Sequence, residues 1–590
     1  MSLKRCALLA LMAWGGMSAQ AADMNKVLHV AFNAPETGFD PSKTSDIYSG
    51  AIIEHIFDPL LTFDYLARPV KVVPNVATAM PTVSADAKTY TFTLKKGVYF
   101  APDPAFKGKK RELTAEDYVY AFKRLIDPAV ASPISDLVAG KFVGLDAWAK
   151  PAGGKINYDA PVAGVRALDR YTLQLKLTQP YPALKYILAA PFVQGQAREA
   201  VEAYGSNTNA HPVGTGPYML AKWQPGTHIS LVANPNFRKQ IFNYQPGDNP
   251  EDQRLAREMN GKSYPQIGRI EVSVIQEEQP TWLAFKSAEL DLVGIPQPLI
   301  RQLLRMDPSN PWRAELKPDL QRQGIRLLRS LDEEITFYAF GMKDPVVGGY
   351  GKEKIALRRA ITMAFNTDET IRDIRRNQAV KVQYVVPPNV AGHNPDFRGA
   401  FPYNPALANA LLDRFGYKKG ADGYRRQPDG APLVVDFLTG PTAIDKQWNE
   451  YWQKAFDLIK VRVDFRVMQW NEQIKAQREC KFGMNGAAWI ADFPDGENFV
   501  QLLYGPNTGG VNYACYQSAR YDRLYEQSRN LEDGPERNRL YDAMNKIVMA
   551  DTPWAFSDTR FRNTLIQPWV RGAKLHPNYN YIWRFLDVQK

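Results

Sequence analysis

Cysteine and histidine are scarce in this chain of 590 residues: three of the first and six of the second. The histidines, at positions 29, 55, 211, 228, 393 and 576, never fall at the spacing of a zinc-binding helix, so no metal site is expected. No G-x-S-x-G elbow is present for a serine nucleophile. The stretch "VGGYGKEK" fails as a phosphate loop, because Val346 stands where the leading glycine belongs and Glu353 where Ser or Thr would hold a cation. No cofactor site is therefore expected, and no constellation points to an enzyme. Charge runs are missing as well. The 73 basic residues are interspersed with 62 acidic ones, with no five like charges in a row, which argues for a solvated mixed surface and against nucleic acid. In the body of the chain every apolar run is broken by charge or proline before it reaches the ~20 residues of a membrane span.

What is present begins with a leader. Lys4 and Arg5 precede the apolar "CALLALMAWGGM", and Ala19-Gln20-Ala21 offers small residues to a signal peptidase. Residues 1 to 21 read as a removed secretory signal, which places the mature protein in a periplasm. Cys6 precedes the apolar core of that signal, so no lipid anchor is expected. Removing two positive charges and no negative ones takes the formal net charge from +11 to +11 − 2 = +9. Two cysteines remain, Cys480 and Cys515, and an even count in an oxidising compartment predicts one disulfide.

Length and a 45% hydrophobic content allow several cores and two to four domains. "VLHVAFN" alternates as a strand, and "DIYSGAIIEHIFD" places Ile47, Ile52 and Ile56 at helical spacing. "KTYTFTLKKGVYF" predicts a strand, a Gly turn and a second strand. Thr114, with Asp117 three residues on, predicts a capping box opening the helix "AEDYVYAFKRLI". Farther on, helical patterns ("KEKIALRRAITMAF", "NPALANALLDRF", "DKQWNEYWQKAFDLI") alternate with strands ("PLVVDFL", "VRVDFRV"), which predicts an α/β fold. Residues 239–265 and 416–430, rich in Gly, Pro and charge, are expected to be surface loops. The aromatic "WVRGAKLHPNYNYIWRF" near the end is expected to pack back on the body.

One stretch concentrates acidic residues in apolar, aromatic surroundings: "AAWIADFPDGENF", residues 487–499. It suggests a buried Asp492 walled by Trp489 and Phe493. Asp492 and Asp495 also have the residue types of a glycosidase carboxylate pair, whose separation in space spacing alone cannot supply. A plain turn fits the Asp-Pro-Asp-Gly composition too.

"FDPSKTSDIYSGAIIEHIFDPLLTFD" (39–64), "YTFTLKKGVYF", "LTAEDYVYAFKRLIDPAVASP" (113–133), "PVGTGPYMLAKWQPGTHISLVANPNF" (212–237) and "ALRRAITMAF" together resemble the family 5 extracellular solute-binding proteins, the dipeptide and oligopeptide receptors of ABC importers. The similarity runs through nearly the whole mature chain. It implies a two-lobed α/β receptor of the periplasmic-binding-protein kind, with hinged lobes and an extra subdomain inserted in lobe I. Lobe I would comprise residues 22–65, 181–335 and 555–590, the inserted subdomain 66–180, and lobe II 336–554. The implied partners are a short peptide or other small solute and a membrane-embedded ABC permease; the receptor would be a monomer and perform no chemistry.

The resemblance also implies site residues. In the oligopeptide branch the Asp of "W-x-A-D" pairs with the peptide's α-ammonium, and the match is Trp489-Ile490-Ala491-Asp492. Trp470, 19 residues before Trp489, matches another pocket tryptophan. Tyr48 and Ser49 fall in the region lining the first-lobe side of the pocket. Three positively charged positions of that branch are occupied here by Gly486, Gln477 and Ile444, which leaves open what holds a ligand carboxylate. A non-peptide solute (opine-like, oligosaccharide or metal chelate) stays as the alternative ligand, and a secreted hydrolase using Asp492 and Asp495 as the alternative activity.

Overall fold

The computed structural model describes residues 22–590 apart from 45, 69, 152–153, 192, 308–309, 311, 400 and 580, and without the side chains of 136, 470 and 471. The expected signal over 1–21 lies outside the described residues.

The chain starts in a four-stranded sheet ordered Asp23–Phe32, Ile267–Val274, His228–Ala233 and Tyr218–Gln224; the first pair is parallel and the others antiparallel. Between residues 82 and 176 a separate antiparallel sheet forms from Thr82–Val83, Thr89–Thr93, Thr172–Lys176 and Val165–Asp169. Helix Ala115–Ile126 packs on it through Tyr118, Val119, Phe122 and Leu125. Its capping box is formed as the sequence predicts, with Asp117 accepting from the Thr114 backbone N–H at 2.7 Å. These two sheets share one continuous apolar core. The helix starting at Ile47 is also present, over Ile47–Ile56, although Ile47 is exposed and Ile52, Ile53 and Ile56 are the buried isoleucines.

The second half builds a five-stranded sheet in the order Arg462–Val467, Val434–Thr439, Met484–Ile490, Glu334–Phe340, Trp554–Phe556. The first three strands run parallel, and Glu334–Phe340 is antiparallel to both of its neighbours. Helices Lys352–Ala364, Pro405–Arg414 and Ala443–Leu458 cover one face through Leu357, Leu412, Trp452 and Phe456. Helices Ala519–Ser528 and Pro535–Asp551 cover the other through Tyr521, Tyr525 and Tyr541. All seven residues of Glu334–Phe340 are buried, as expected of a central strand covered on both faces.

Two adjacent connections join the halves. Strand Arg326–Leu331, paired with Asp558–Ile566 in a third sheet, passes through Asp332 and Glu333 into Glu334–Phe340. Strand Trp554–Phe556 returns through Ser557 into Asp558–Ile566. The connections are laced together: Ser557 N–H donates to Thr336 O at 3.0 Å, Asp332 N–H to Arg560 O at 2.9 Å, and Arg560 pairs with buried Glu334. Two short antiparallel crossings side by side are a hinge about which rigid bodies can rotate.

Two sequence expectations are corrected. Residues 239–265 are not all loop: Pro250–Met259 is a helix, capped by Asn249, with Leu255, Ala256 and Met259 buried and Lys574 bonded to Asp252 at 2.7 Å. Its Asn cap, Pro at the first position and acidic first turn are helix-start signals that the polar composition masked. After Gly97 no second strand forms; Tyr99 makes a single isolated bridge to Glu112. The C-terminal aromatics do pack back, with Trp583, Phe585 and Leu586 buried.

Candidate functional site

Strand Met484–Ile490 leaves the five-stranded sheet beside the hinge, and the four residues after it bridge the two halves. Ala491 N–H donates to the carbonyl of Glu333, in the first connection, at 2.8 Å. Phe493 is buried in the first half's core, its ring parallel to Tyr186 at 6.2 Å between centroids. Lys185 and Glu532 pair across the same junction at 3.0 Å. Asp492 stands between Ala491 and Phe493, which make the first two of these three contacts.

The expectation that Asp492 is buried is corrected: Asp492 is exposed. Phe493 does not wall it, because the pleat of the chain turns that ring into the opposite core. What orients Asp492 is Asn498, which the sequence reading missed. Asn498 is fully buried; its Nδ2 donates to Asp492 Oδ2 at 2.9 Å, and its Oδ1 accepts from the Asp492 N–H at 3.0 Å and from Trp489 Nε1 at 2.9 Å. One amide thus fixes both the carboxylate and the indole. Trp489 meets Tyr513 edge to face at 6.4 Å. Burial raises the Tyr513 hydroxyl above its ordinary value, with the Asp492 charge adding to the rise and Arg478 opposing it.

The other acidic residues of the motif have different fates. Asp495 is buried and ion-paired with Arg537, itself buried, and it also accepts the Glu497 N–H at 2.8 Å. Glu497 is buried, accepts from Tyr525 Oη at 2.5 Å, and is raised above its ordinary value by burial. Asp495 is therefore consumed in holding helix Pro535–Asp551 to the loop, and Asp492 has no catalytic partner in it. Among the described residues no group of His, Cys, Asp and Glu could hold a metal ion.

The remaining expected site residues are placed as follows. Ile490 is 53% exposed beside Asp492. Trp470 opens helix Trp470–Arg478, and its side chain lies outside the described residues. Tyr48 is half-buried; its hydroxyl donates to Asn33 and its ring packs on Phe32 at 5.1 Å. Ser49 is fully buried, its hydroxyl accepting from the Thr37 N–H at 2.9 Å, so it braces the segment that precedes its helix. Cys480 and Cys515 are bonded, with 6.0 Å between Cα atoms, tying the end of helix Trp470–Arg478 to the segment carrying Tyr513. Of the three positions that lack a positive group, Gly486 faces Tyr338, whose ring would lie 3.1 Å from an added Cβ. Gln477 is buried with neither amide atom bonded, and Ile444 is exposed.

Residues 71–510 match the family described as Bacterial extracellular solute-binding proteins, family 5 Middle. The chain is 24% identical over 567 residues to a di/tripeptide-binding protein 2 of Pseudomonas aeruginosa, covering 93% of this chain and 91% of that one. It is 21% identical over 543 residues to heme-binding protein A of Haemophilus influenzae, covering 91% and 87%. Its fold is that of a solved periplasmic binding protein, DppA of Helicobacter pylori in complex with the peptide STSA: TM-score 0.70, 21% identity, covering 96% and 98%. Among the described residues no helix is long and apolar enough to cross a membrane.

Proposed function

The chain belongs to the bacterial extracellular solute-binding proteins of family 5, and from that membership we propose that it is a periplasmic receptor which captures short peptides and delivers them to an ABC permease, without chemistry of its own. Lobe I would comprise 22–65, 181–335 and 555–590, with the inserted subdomain at 66–180, and lobe II 336–554. The signal at 1–21 would be removed on export.

The observation that carries the peptide reading is the exposed Asp492 carboxylate, held by a buried amide on a segment tethered to both lobes. An α-ammonium enclosed between closing lobes needs an oriented anionic partner, since a desolvated charge left unpaired costs several kcal/mol. Asp492 meets that need where Asp495 and Glu497 do not, because both are buried and already engaged. The peptide backbone would be held by main-chain groups, and Trp489 with Trp470 would wall the side chains. Ligand contact with both lobes favours the closed state over the open one.

The test is calorimetric titration of di- and tripeptides and their N-acetylated counterparts into the parent and Asp492→Asn. Truncating one partner of such a pair costs about 2–5 kcal/mol, at least a ~30-fold loss of affinity. N-acetylation should cost the parent the same factor and the variant little more. Equal affinity of both proteins for free and acetylated peptides overturns the assignment. A non-peptide solute is the second reading, favoured by the glycine, buried glutamine and isoleucine at 486, 477 and 444 and by the similarity to a heme-binding protein. Small-molecule mass spectrometry on native protein distinguishes it.

A further inference from the structure

A cavity lies within the first half of the molecule. It measures about 270 Å3 and is lined by residues of 62–65, 73–75, 238–244 and 579–585 together with Lys95 and Tyr264. Its mouth is at Gln240 and Ile241, both exposed. No lining residue belongs to the five-stranded sheet or its helices.

The charge in its wall is unbalanced. Lys95, Arg238 and Arg584 line the space, against Asp64 alone. Asp64 is already occupied, its Oδ1 accepting from the N–H groups of Leu66 and Ala67 at 3.0 Å each. Behind the wall, buried Asp58 pairs with Arg238 at 2.5 Å and serves Thr215 and Asn75, each at 3.2 Å. Arg584 reaches the same carboxylate only at 3.7 Å, beyond hydrogen-bond distance. Buried Glu54 also acts on the Arg584 charge, so Asp58, Asp64 and Glu54 stand near the three cations.

Two donors in this wall are unsatisfied. Arg584 is 5% exposed and its Nε has no hydrogen-bond partner; the buried Tyr244 hydroxyl has none either. A buried guanidinium is costly unless its N–H groups are bonded, and these two donors remain available to an occupant. Much of the remaining wall is aromatic (Phe63, Tyr65, Phe242, Tyr264, Tyr579 and Phe585), with Thr62, Val73, Pro74 and Asn75 beside the rings.

We propose that this cavity is a second ligand site, for a small organic carboxylate whose anionic end meets Arg584 and Tyr244 and whose apolar body lies against the rings. An arginine fork matches a carboxylate in geometry, and the aromatic wall favours an organic anion over an inorganic one. The volume lies just below the range of drug-sized pockets, so the ligand is a compact acid. The site is independent of Asp492 and of the peptide reading.

The experiment titrates acetate, benzoate and, separately, inorganic phosphate into the parent, Tyr244→Phe, Arg584→Lys and Asp492→Asn, read by calorimetry and thermal shift. Benzoate or acetate should bind the parent and Asp492→Asn alike. Tyr244→Phe, which removes one hydroxyl and keeps the ring, should weaken that binding about 5-fold, the worth of one hydrogen bond. Arg584→Lys should weaken it further, and the phenylalanine variant decides the matter if the lysine variant does not fold. Any of three results overturns the proposal: neither carboxylate binds, phosphate alone binds, or Tyr244→Phe leaves carboxylate affinity unchanged.

Discussion

Glu333 sits in the first connection between the lobes, one residue before strand Glu334–Phe340, and is 3% exposed. Its carbonyl holds the segment that presents Asp492, and its Oε2 accepts from Asn578 Nδ2 at 3.4 Å. Burial pushes its carboxyl from the ordinary 4.5 up to about 8; the bond from Asn578 and the charges of Arg68 and Arg562 oppose the rise, and Asp332 adds to it. The folded chain therefore keeps a proton that the unfolded chain releases. Stability from this group is fully present below about pH 4.5 and is lost as the pH rises through about 8. Between pH 5 and pH 7 the loss is about 2.5 kcal/mol, close to 1.4 kcal/mol per pH unit over most of that range. Glu333→Gln keeps the shape and the bond from Asn578 but cannot ionise in either state. Its stability relative to the parent should therefore climb by about 2.5 kcal/mol over that interval. Urea unfolding followed by tryptophan fluorescence at pH 5, 6, 7 and 8 reads the difference directly, and the subtraction cancels every group common to both proteins. Parallel curves for parent and variant would refute the reasoning, since they would mean that Glu333 ionises alike folded and unfolded.

Asn498→Ala removes the amide that fixes Asp492 and Trp489, so peptide affinity should fall about 10-fold by calorimetry while the fold, read by circular dichroism, survives. Arg537→Met leaves Asp495 buried without its partner, and should cost about 3–5 kcal/mol in denaturant unfolding at neutral pH. Replacing Cys480 and Cys515 by serine opens a closed loop spanning a sequence separation of 35 and should cost roughly 3–4 kcal/mol. Thermal unfolding of the parent with and without a reductant should show the same ordering.

Local signals carried well from sequence to structure. The capping box at Thr114 and Asp117, the strands over Val434–Thr439 and Arg462–Val467, and the long helix Ala443–Leu458 depend on residues within a few positions of one another, and all formed where the periodicity placed them. Where the reading went astray, composition had been allowed to override position. The helix Pro250–Met259 is polar overall, yet its cap, its proline and its three buried apolar residues stand at helical positions.

The sequence by itself determined the family, the α/β alternation, the two-cysteine count and the stretch that concentrates Asp492, Asp495 and Glu497, because each rests on residue identity in a fixed local order. It could not determine which of Asp492, Asp495 and Glu497 faces outward. That choice is made by Asn498, Arg537 and Tyr525, the last two 42 and 28 residues away along the chain, and by Tyr186, which draws Phe493 into the opposite lobe. The unbonded Nε of buried Arg584 and the raised carboxyl of Glu333 arise in the same way. A carboxylate or a guanidinium has one intrinsic chemistry, but its charge state and availability follow from the solvent and partners removed or supplied by distant segments, and only the tertiary structure brings those segments together.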